Sequence, residues 1–274
     1  MAPEAKDTIC GHARWDSACR VSERTGPFNY IDICCWCYRT NIIRNFNNRY
    51  VLSKPCAIGK RFATLDVLSD GRTIAGLGIG WSKDEYEVSG VPYKDKGTRA
   101  DEFLQVLKKI WTDEIVEFKG QFYNIPASKI GPKPLQEPHP PILLGGFSAK
   151  TFSRIVNYAN GWIGIAGFGP LEQLEQMING LKESTRKLDK DPSNIGIYIG
   201  SYPNVLESPV SSNETRSPMT GTIEQIGSDI EQIKAMGTNH IFFGYMFSSI
   251  SKDMKKMVEV TKQLARFGKS FYTM

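Results

Sequence analysis

Short apolar stretches alternate with amphipathic stretches through the second half of the chain, and this alternation most restricts the folds open to it. Apolar runs bounded by turn residues predict strands, and apolar residues spaced three and four apart predict helices. The predicted strands and helices follow one another as 142–144, 149–159, 162–165, 171–188, 195–201, 223–236, 240–243 and 252–267. Strands that alternate with helices pair in parallel through right-handed crossovers, so the pattern predicts an α/β fold.

The same alternation begins earlier, at a glycine-rich apolar run. Thr73 to Gly80 predicts a buried strand that enters a loop, and Thr98 to Trp111 predicts an amphipathic helix. A further helix is expected over Phe62 to Leu68, and the proline-rich stretch 115–141 predicts a small hairpin followed by an extended segment. Five strand–helix units thus follow Thr73. Eight units close a barrel, so the first 72 residues would have to supply three.

Composition agrees with a globular enzyme and excludes several other classes. Hydrophobic residues make up 41% and charged residues 23%, and the net charge of +5 is scattered without the basic block of a nucleic-acid-binding protein. No apolar run reaches the ~18 residues of a membrane span, and no secretion-signal pattern is visible, so we expect a cytoplasmic protein. The Ser-, Pro- and Asn-rich stretch 203–218 is predicted to be a mobile loop.

The six cysteines all lie within the first 56 residues. Disulfides are not expected without a secretion signal. A zinc site is an alternative, since Cys10, His12, Cys34, Cys35 and Cys37 are all possible ligands. No CxxC pair occurs, however, and adjacent cysteines do not readily bind one tetrahedral ion together, so we expect no metal.

Two glycine clusters follow predicted strands, where a parallel α/β barrel carries its functional residues. The first contains Gly78, Gly80 and Trp81 and continues to Glu85. Glycines there allow a planar ligand or a phosphate to approach the backbone, although a tight bend alone would also explain them.

The second cluster is Gly145, Gly146, Phe147 and Ser148, between a predicted strand and a predicted helix. Ser148 is a candidate N-cap, and the free amides of a helix start can bind an anion. A capped helix after a flexible turn explains the same residues without any ligand. Trp81 and Trp162 likewise have a structural interpretation as core or rim aromatic residues.

Taken together, four segments resemble the luciferase-like monooxygenase superfamily, most closely its coenzyme F420-dependent branch. The segments are ATLDVLSDGR at 63–72, GLGIGWSKDEYEVSGVPYKDKGTRADEFL at 76–104, PPILLGGFSAKTFSRIVNYANGWI at 140–163 and TGTIEQIGSDIEQIKAMGTNHIFF at 220–243. The resemblance covers about residues 60–267, in the family's order and spacing. It implies a single-domain (β/α)8 TIM-type barrel in which 60–274 form the luciferase-like part and 1–59 an aberrant segment with incomplete or disturbed units.

The resemblance also implies a cofactor and the residues that hold it. The turn at Gly145 and Gly146 is similar to one that binds the cofactor's phosphate, with Phe147 and Ser148 beside it. Gly78 to Glu85 is similar to a loop that lines the flavin or deazaflavin ring. Some F420 dehydrogenases carry a proton-donating glutamate in this loop where the present chain has Trp81, so their acid–base mechanism does not carry over directly.

The first 60 residues depart from the family. Trp15 to Arg24 is similar to a disturbed second barrel strand, which makes Glu23 after it the candidate catalytic residue. If Val51 to Ile58 is back-translated and read one base later, allowed codons give a sequence similar to the family's "YRNPVLLAK", and the same shift over 37–46 permits "ATERIxLGT". We hypothesise that residues 30–59 are frameshifted, which sequencing the coding DNA would test.

The consequence of this departure is a polar third strand. Parallel strands are normally apolar on both faces, yet Arg44, Asn45, Asn47, Asn48 and Arg49 occupy this region. Burying such groups unpaired would cost several kcal/mol, on the order of the whole net stability of a domain, and could open the barrel.

The function implied by the resemblance is hydride transfer between coenzyme F420 and a small organic substrate. An FMN-dependent monooxygenase and a catalytically inactive barrel remnant are the alternatives. We expect neither nucleic acid nor membrane as a partner, and a homodimer is consistent with the resembled family. The residues do not identify the substrate.

Overall fold

A computed structural model describes residues 43–211 and 216–268, with the backbone alone described for 43–48. Six parallel strands form its main sheet. In chain order they are β1 (Ile43–Arg49), β2 (Thr73–Gly78), β5 (Ile142–Gly145), β6 (Gly161–Ala166), β7 (Gly196–Ser201) and β10 (His240–Phe243). Their order in space is the order in the chain, β1-β2-β5-β6-β7-β10, as successive right-handed crossovers produce.

Helices fill the connections between these strands. They are α1 (Pro55–Leu68), α2 (Lys83–Val88), α3 (Lys96–Thr112), α4 (Ala149–Tyr158), α5 (Leu171–Arg186), α6 (Ile223–Ala235) and α7 (Met254–Ala265). The five predicted units from Thr73 onward are confirmed, and the unit β1–α1 precedes them. The predicted hairpin is also present, as β3 (Ile115–Lys119) antiparallel to β4 (Asn124–Lys129). None of the described helices is both long enough and apolar enough to cross a bilayer.

Packing of the helices against the sheet follows the apolar stripes of the sequence. The stripe expected on α3 is buried, with Phe103, Leu104, Leu107, Ile110 and Trp111 all at most 2% exposed. Helix α3 packs on α1, where the indole Nε1 of Trp111 donates to the Gly59 carbonyl at 2.9 Å. A Cβ at Gly59 would lie 2.7 Å from Ile110 Cγ2, so this close helix approach requires glycine.

The polar stretch before α1 forms strand β1, in the region where the third strand was expected. β1 pairs with β2 in parallel, with an irregular register between Asn45 and Asn48. Arg49 was expected to be a buried unpaired charge. Instead its guanidinium Nε lies 2.7 Å from Glu85 Oε2, and both side chains are about one-third exposed. This pairing and partial exposure lower the cost that was expected for Arg49.

A buried carboxylate attaches the long excursion between β4 and β5 to the sheet. Asp66 of α1 is fully buried and accepts hydrogen bonds from the backbone amides of Thr73, Leu135 and Gln136 and from the Gln136 side chain, at 2.6 to 3.3 Å. The residues that follow the excursion form β5, so Asp66 places the strand that carries the second glycine cluster.

The sequence predicted a loop over 203–218, but the described part of this stretch is not irregular throughout. It contains the two-residue strand β8 (Asn204–Val205), which pairs in parallel with β9 (Thr220–Gly221). Arg216 binds the buried carboxylate of Asp229 on α6 through two nitrogens, at 2.5 and 2.7 Å. Asp229 also accepts from the Met219 amide at 2.7 Å, so the end of this segment is held against α6.

Candidate functional site

The first glycine cluster leaves the carboxyl end of β2. Gly78 ends the strand, and Gly80 follows with a φ of 76°, a conformation that favours glycine. Trp81 comes next and is 80% exposed, so it is a rim residue here and not a core residue. Ser82 then caps α2 by accepting from the Glu85 amide.

The backbone of this loop is held by three side chains. Tyr86 donates its hydroxyl hydrogen to the carbonyl of Ile79. Lys96 Nζ donates to the Gly80 carbonyl at 3.2 Å and to the Tyr93 hydroxyl at 2.7 Å, and that hydroxyl in turn donates to the Trp81 carbonyl at 3.3 Å. Three successive carbonyls are therefore bound. Burial raises the pKa of Tyr86 to about 12, so its phenol remains a hydrogen-bond donor at neutral pH.

Glu85 lies in the first turn of α2 and faces β1. Its carboxylate pairs with Arg49, at the carboxyl end of β1. A Cβ added to Gly80 would lie 3.4 Å from Arg49 Cδ, so the loop after β2 also approaches this arginine closely. Glu85 thus connects two neighbouring strand ends, a role that the sequence did not predict.

The second glycine cluster leaves the carboxyl end of β5, the strand next to β2. Gly145 ends β5, and Gly146 has a φ of 125°. A Cβ at Gly146 would lie 3.0 Å from both Oγ1 and Cγ2 of Thr151, so a side chain there would force either Thr151 or the turn to shift. Ser148 is the N-cap of α4, accepting from the Thr151 amide at 3.2 Å. The predicted cap is confirmed.

Two aromatic rings flank this turn. Trp162 is fully buried, and its indole Nε1 donates to the Gly146 carbonyl at 2.9 Å. Phe147 is 53% exposed and packs its ring edge-on to Trp162, with centroids 6.4 Å apart. Trp162 therefore supports the turn from the core, while Phe147 faces the solvent side of the same turn.

A narrow cleft lies between the two glycine turns. Its lining residues are Tyr50, Leu77, Ile79, Leu144, Gly145, Thr151 and Arg154. Leu77 pairs with Leu144 in the sheet register, so the two turns leave neighbouring strands at the same edge. Neighbouring strands are ~4.8 Å apart, a separation that one ligand spans easily.

The polar groups of the cleft are mainly hydrogen-bond donors. Arg154 on α4 is 8% exposed, with its guanidinium 2.5 Å from Asp101 and 3.0 Å from the Gly97 carbonyl. Tyr50, just after β1, is fully buried, and its hydroxyl has no hydrogen-bond partner within the described part of the chain. Burial raises the pKa of this phenol far above its usual value, so it is present as a neutral O–H donor.

Sequence reasoning missed Tyr50, Lys96 and Arg154. For Arg154 there was a usable signal, because it lies among the apolar positions of the predicted helix 149–159, where a charged residue needs a buried partner. Tyr50 gave no signal, since it lies in the stretch that departs from the family. Glu23 lies outside the described residues, as do the five proposed zinc ligands. Among the described residues, no three His, Cys, Asp or Glu side chains are grouped to hold a metal.

A known protein family matches the part of the chain that contains this site. The family model described as luciferase-like monooxygenase matches residues 49–235, more than half of the chain. The chain belongs to this family. The matched range contains both glycine turns, the cleft between them and strands β2 to β7 of the luciferase-like fold.

Several relatives of this luciferase-like chain are similar over part of its length. An uncharacterized protein of Mycobacterium tuberculosis is 40% identical over 110 residues, 40% of this chain and 39% of its own. The F420-dependent glucose-6-phosphate dehydrogenase of Amycolatopsis mediterranei is 29% identical over 178 residues, 62% of this chain and 53% of that enzyme. The FMNH(2)-dependent dimethylsulfone monooxygenase of Pseudomonas putida is 38% identical over 111 residues, 39% of this chain and 30% of that enzyme. The chain thus spans about half or less of the length of these relatives.

Solved structures agree on the fold. An F420-dependent secondary alcohol dehydrogenase superposes with a TM-score of 0.68 at 20% identity, covering 82% of this chain and 79% of that one. At this identity the likeness shows the fold alone.

Proposed function

We propose that this chain is an F420-dependent oxidoreductase, which transfers a hydride between coenzyme F420 and a small organic substrate. The observation that supports it is the pair of glycine turns, at Gly80 and Gly146, on neighbouring strands around a cleft of donors. Glycine at both turns lets a planar ring approach the backbone, and the start of α4 offers donors for an anionic tail.

The residues present fit such a cofactor. Gly146 gives close access to the start of α4, where amides without intrahelical partners and exposed Lys150 favour an anion. Tyr50 and Arg154 add donors within the cleft. Gly78, Gly80 and Trp81 would line the ring, with Glu85 fixing the loop, and Phe147 and Ser148 would flank the phosphate. When bound, the deazaflavin supplies the hydride chemistry, and the protein supplies orientation and shields the reacting atoms from water.

The proposal includes a closed barrel of eight (β/α) units, with Glu23, which lies outside the described residues, as the catalytic residue. A cofactor site at the carboxyl ends of the strands needs these units to shield its ring. The strand formed by the polar stretch at β1 supports this closure, because β1 already pairs with β2 in the required direction.

A flavin is the alternative cofactor, favoured by the 38% identity with the FMNH(2)-dependent dimethylsulfone monooxygenase. An equilibrium fluorescence titration of the full chain with F420 and, separately, with FMN distinguishes the two. We expect saturable F420 binding at micromolar concentration or below. Saturable binding of FMN alone would move the chain to the monooxygenases, and binding of neither would identify an inactive remnant.

Removing the hydroxyl oxygen of Tyr50 should have opposite effects on the stability of the protein and on cofactor binding. In Tyr50→Phe, the unfolding free energy should rise by about 1 kcal/mol, because a buried hydroxyl without a partner is no longer desolvated on folding. F420 affinity should fall about fivefold, because a donor to the ligand is lost. Urea unfolding and the fluorescence titration measure the two effects.

The matched control is Tyr158→Phe, which removes a more exposed hydroxyl bonded to Gln105. It should change neither the unfolding free energy nor the F420 affinity appreciably. An unchanged F420 dissociation constant in Tyr50→Phe would remove Tyr50 from the binding site.

A further inference from the structure

The exposed aromatic residues of the described chain are confined to one edge of the sheet. Phenylalanine and tryptophan side chains are exposed at four described positions, Trp81, Phe147, Phe168 and Phe247. Each lies two to four residues beyond the carboxyl end of a strand, following β2, β5, β6 and β10 respectively. Scattered exposure would be ordinary for a soluble protein, but confinement to the edge that carries ligands in parallel sheets indicates a binding surface.

Three of the edge rings contact one another. Phe168 after β6, Tyr202 after β7 and Phe247 after β10 have centroids 5.4, 5.2 and 6.1 Å apart. Phe168 and Phe247 are nonetheless 68% and 65% exposed, and neighbouring Met246 is 69% exposed. The rings therefore cluster at the surface while most of their apolar area stays open.

The backbone places this aromatic cluster before any ligand arrives. A Cβ at Gly244 would lie 2.9 Å from Tyr202 Cε1, so the Tyr202 ring packs directly on the glycine backbone that leads to Phe247. Gly167, next to Phe168, has a φ of 105°. Gly244 thus lets the loop after β10 approach the Tyr202 ring, and Gly167 permits the positive-φ turn that precedes Phe168.

The stretches of chain next to the three rings are uncharged. Residues 167–170, 202–206 and 244–251 contain no Asp, Glu, Lys, Arg or His. The charged residues closest in sequence to these stretches are Glu207 and Lys252, just beyond their ends. A neutral aromatic molecule would therefore bury apolar area against the rings without burying a charged group of these stretches.

We propose that Phe168, Tyr202 and Phe247 form the substrate subsite, and that it takes a neutral organic molecule bearing an aryl group. Strand order places β6 directly beside β5, so this subsite continues along the edge from the Gly146 turn. The inference rests on the proposed function for its chemistry, because the substrate would exchange a hydride with a cofactor held at the neighbouring turns.

Acetophenone, a neutral aryl ketone, is the probe. Its dissociation constant for the full chain is measured by saturation-transfer NMR, with and without F420. We expect saturable binding that weakens about fivefold in Phe168→Ala and in Phe247→Ala, since each variant removes one open ring contact. Leu188→Ala, which removes a 40% exposed apolar side chain just after α5, should leave the binding unchanged.

The outcomes separate this proposal from the cofactor assignment. F420 binding without saturable acetophenone binding, or equal affinity in all variants, overturns the substrate subsite and leaves the cofactor proposal standing. Tighter binding of glucose 6-phosphate that is lost in high salt overturns it in favour of an anionic substrate. Sedimentation that shows a dimer abolished by Phe247→Ala overturns it in favour of an interface between two copies of the chain.

Discussion

Replacing Asp66 with alanine is expected to lower the unfolding free energy by about 4 kcal/mol, a large part of the ~5–15 kcal/mol that stabilises a domain. The carboxylate is fully buried and accepts from three backbone amides and one side-chain amide. Alanine leaves the three backbone amides without this acceptor, whereas the Gln136 side chain keeps its bond to the Thr73 carbonyl. A buried donor costs about 1–3 kcal/mol when it is unsatisfied, and partly buried donors cost less. Urea unfolding followed by circular dichroism measures the change.

Glu175→Ala is the matched control for Asp66→Ala. It removes a carboxylate from an exposed position of α5, where a change within about 0.5 kcal/mol is expected. If Asp66→Ala lowers the unfolding free energy by no more than Glu175→Ala does, the excursion between β4 and β5 is not held by this carboxylate.

The periodicity of the sequence was sufficient to predict the sheet from β2 onward. Buried parallel strands produce apolar runs, and helices packed on one face produce apolar stripes. The run Ile142 to Leu144 therefore predicts a strand, and the stripe from Phe103 to Trp111 predicts a helix. Strand β1 could not be predicted in this way. Its pairing depends on backbone hydrogen bonds to β2 and on the Arg49–Glu85 ion pair, which joins residues 36 positions apart.

The candidate site was predictable in its backbone and not in its side chains. The turns at Gly80 and Gly146 could be recognised in the sequence, because few residues other than glycine adopt positive φ angles or allow so close an approach to the backbone. Asp66, Tyr50 and the partners of Arg154 depend on contacts between elements distant in sequence, which no local pattern records. The aromatic cluster has the same origin, because its three rings come from three separate loops and become a surface only when β6, β7 and β10 are adjacent.

Replacing Gly146 with alanine should weaken F420 binding about 100-fold, if the turn holds the cofactor's phosphate as proposed. At a φ of 125° a side chain is strained, and its Cβ would meet Thr151 at 3.0 Å. The turn must then move relative to Ser148 and the first amides of α4, and aligned donors lose strength steeply as their geometry changes. The dissociation constant from the fluorescence titration measures the loss.

Gly237→Ala is the control, because Gly237 has a φ of 86° and lies after α6, near the amino end of β10 at the opposite edge of the sheet. Both variants should lose a similar unfolding free energy, about 1–2 kcal/mol, from the strained backbone. Only Gly146→Ala should lose cofactor affinity. Equal F420 affinity in the two variants would show that the turn after β5 is a structural bend, and that the phosphate lies elsewhere along the edge.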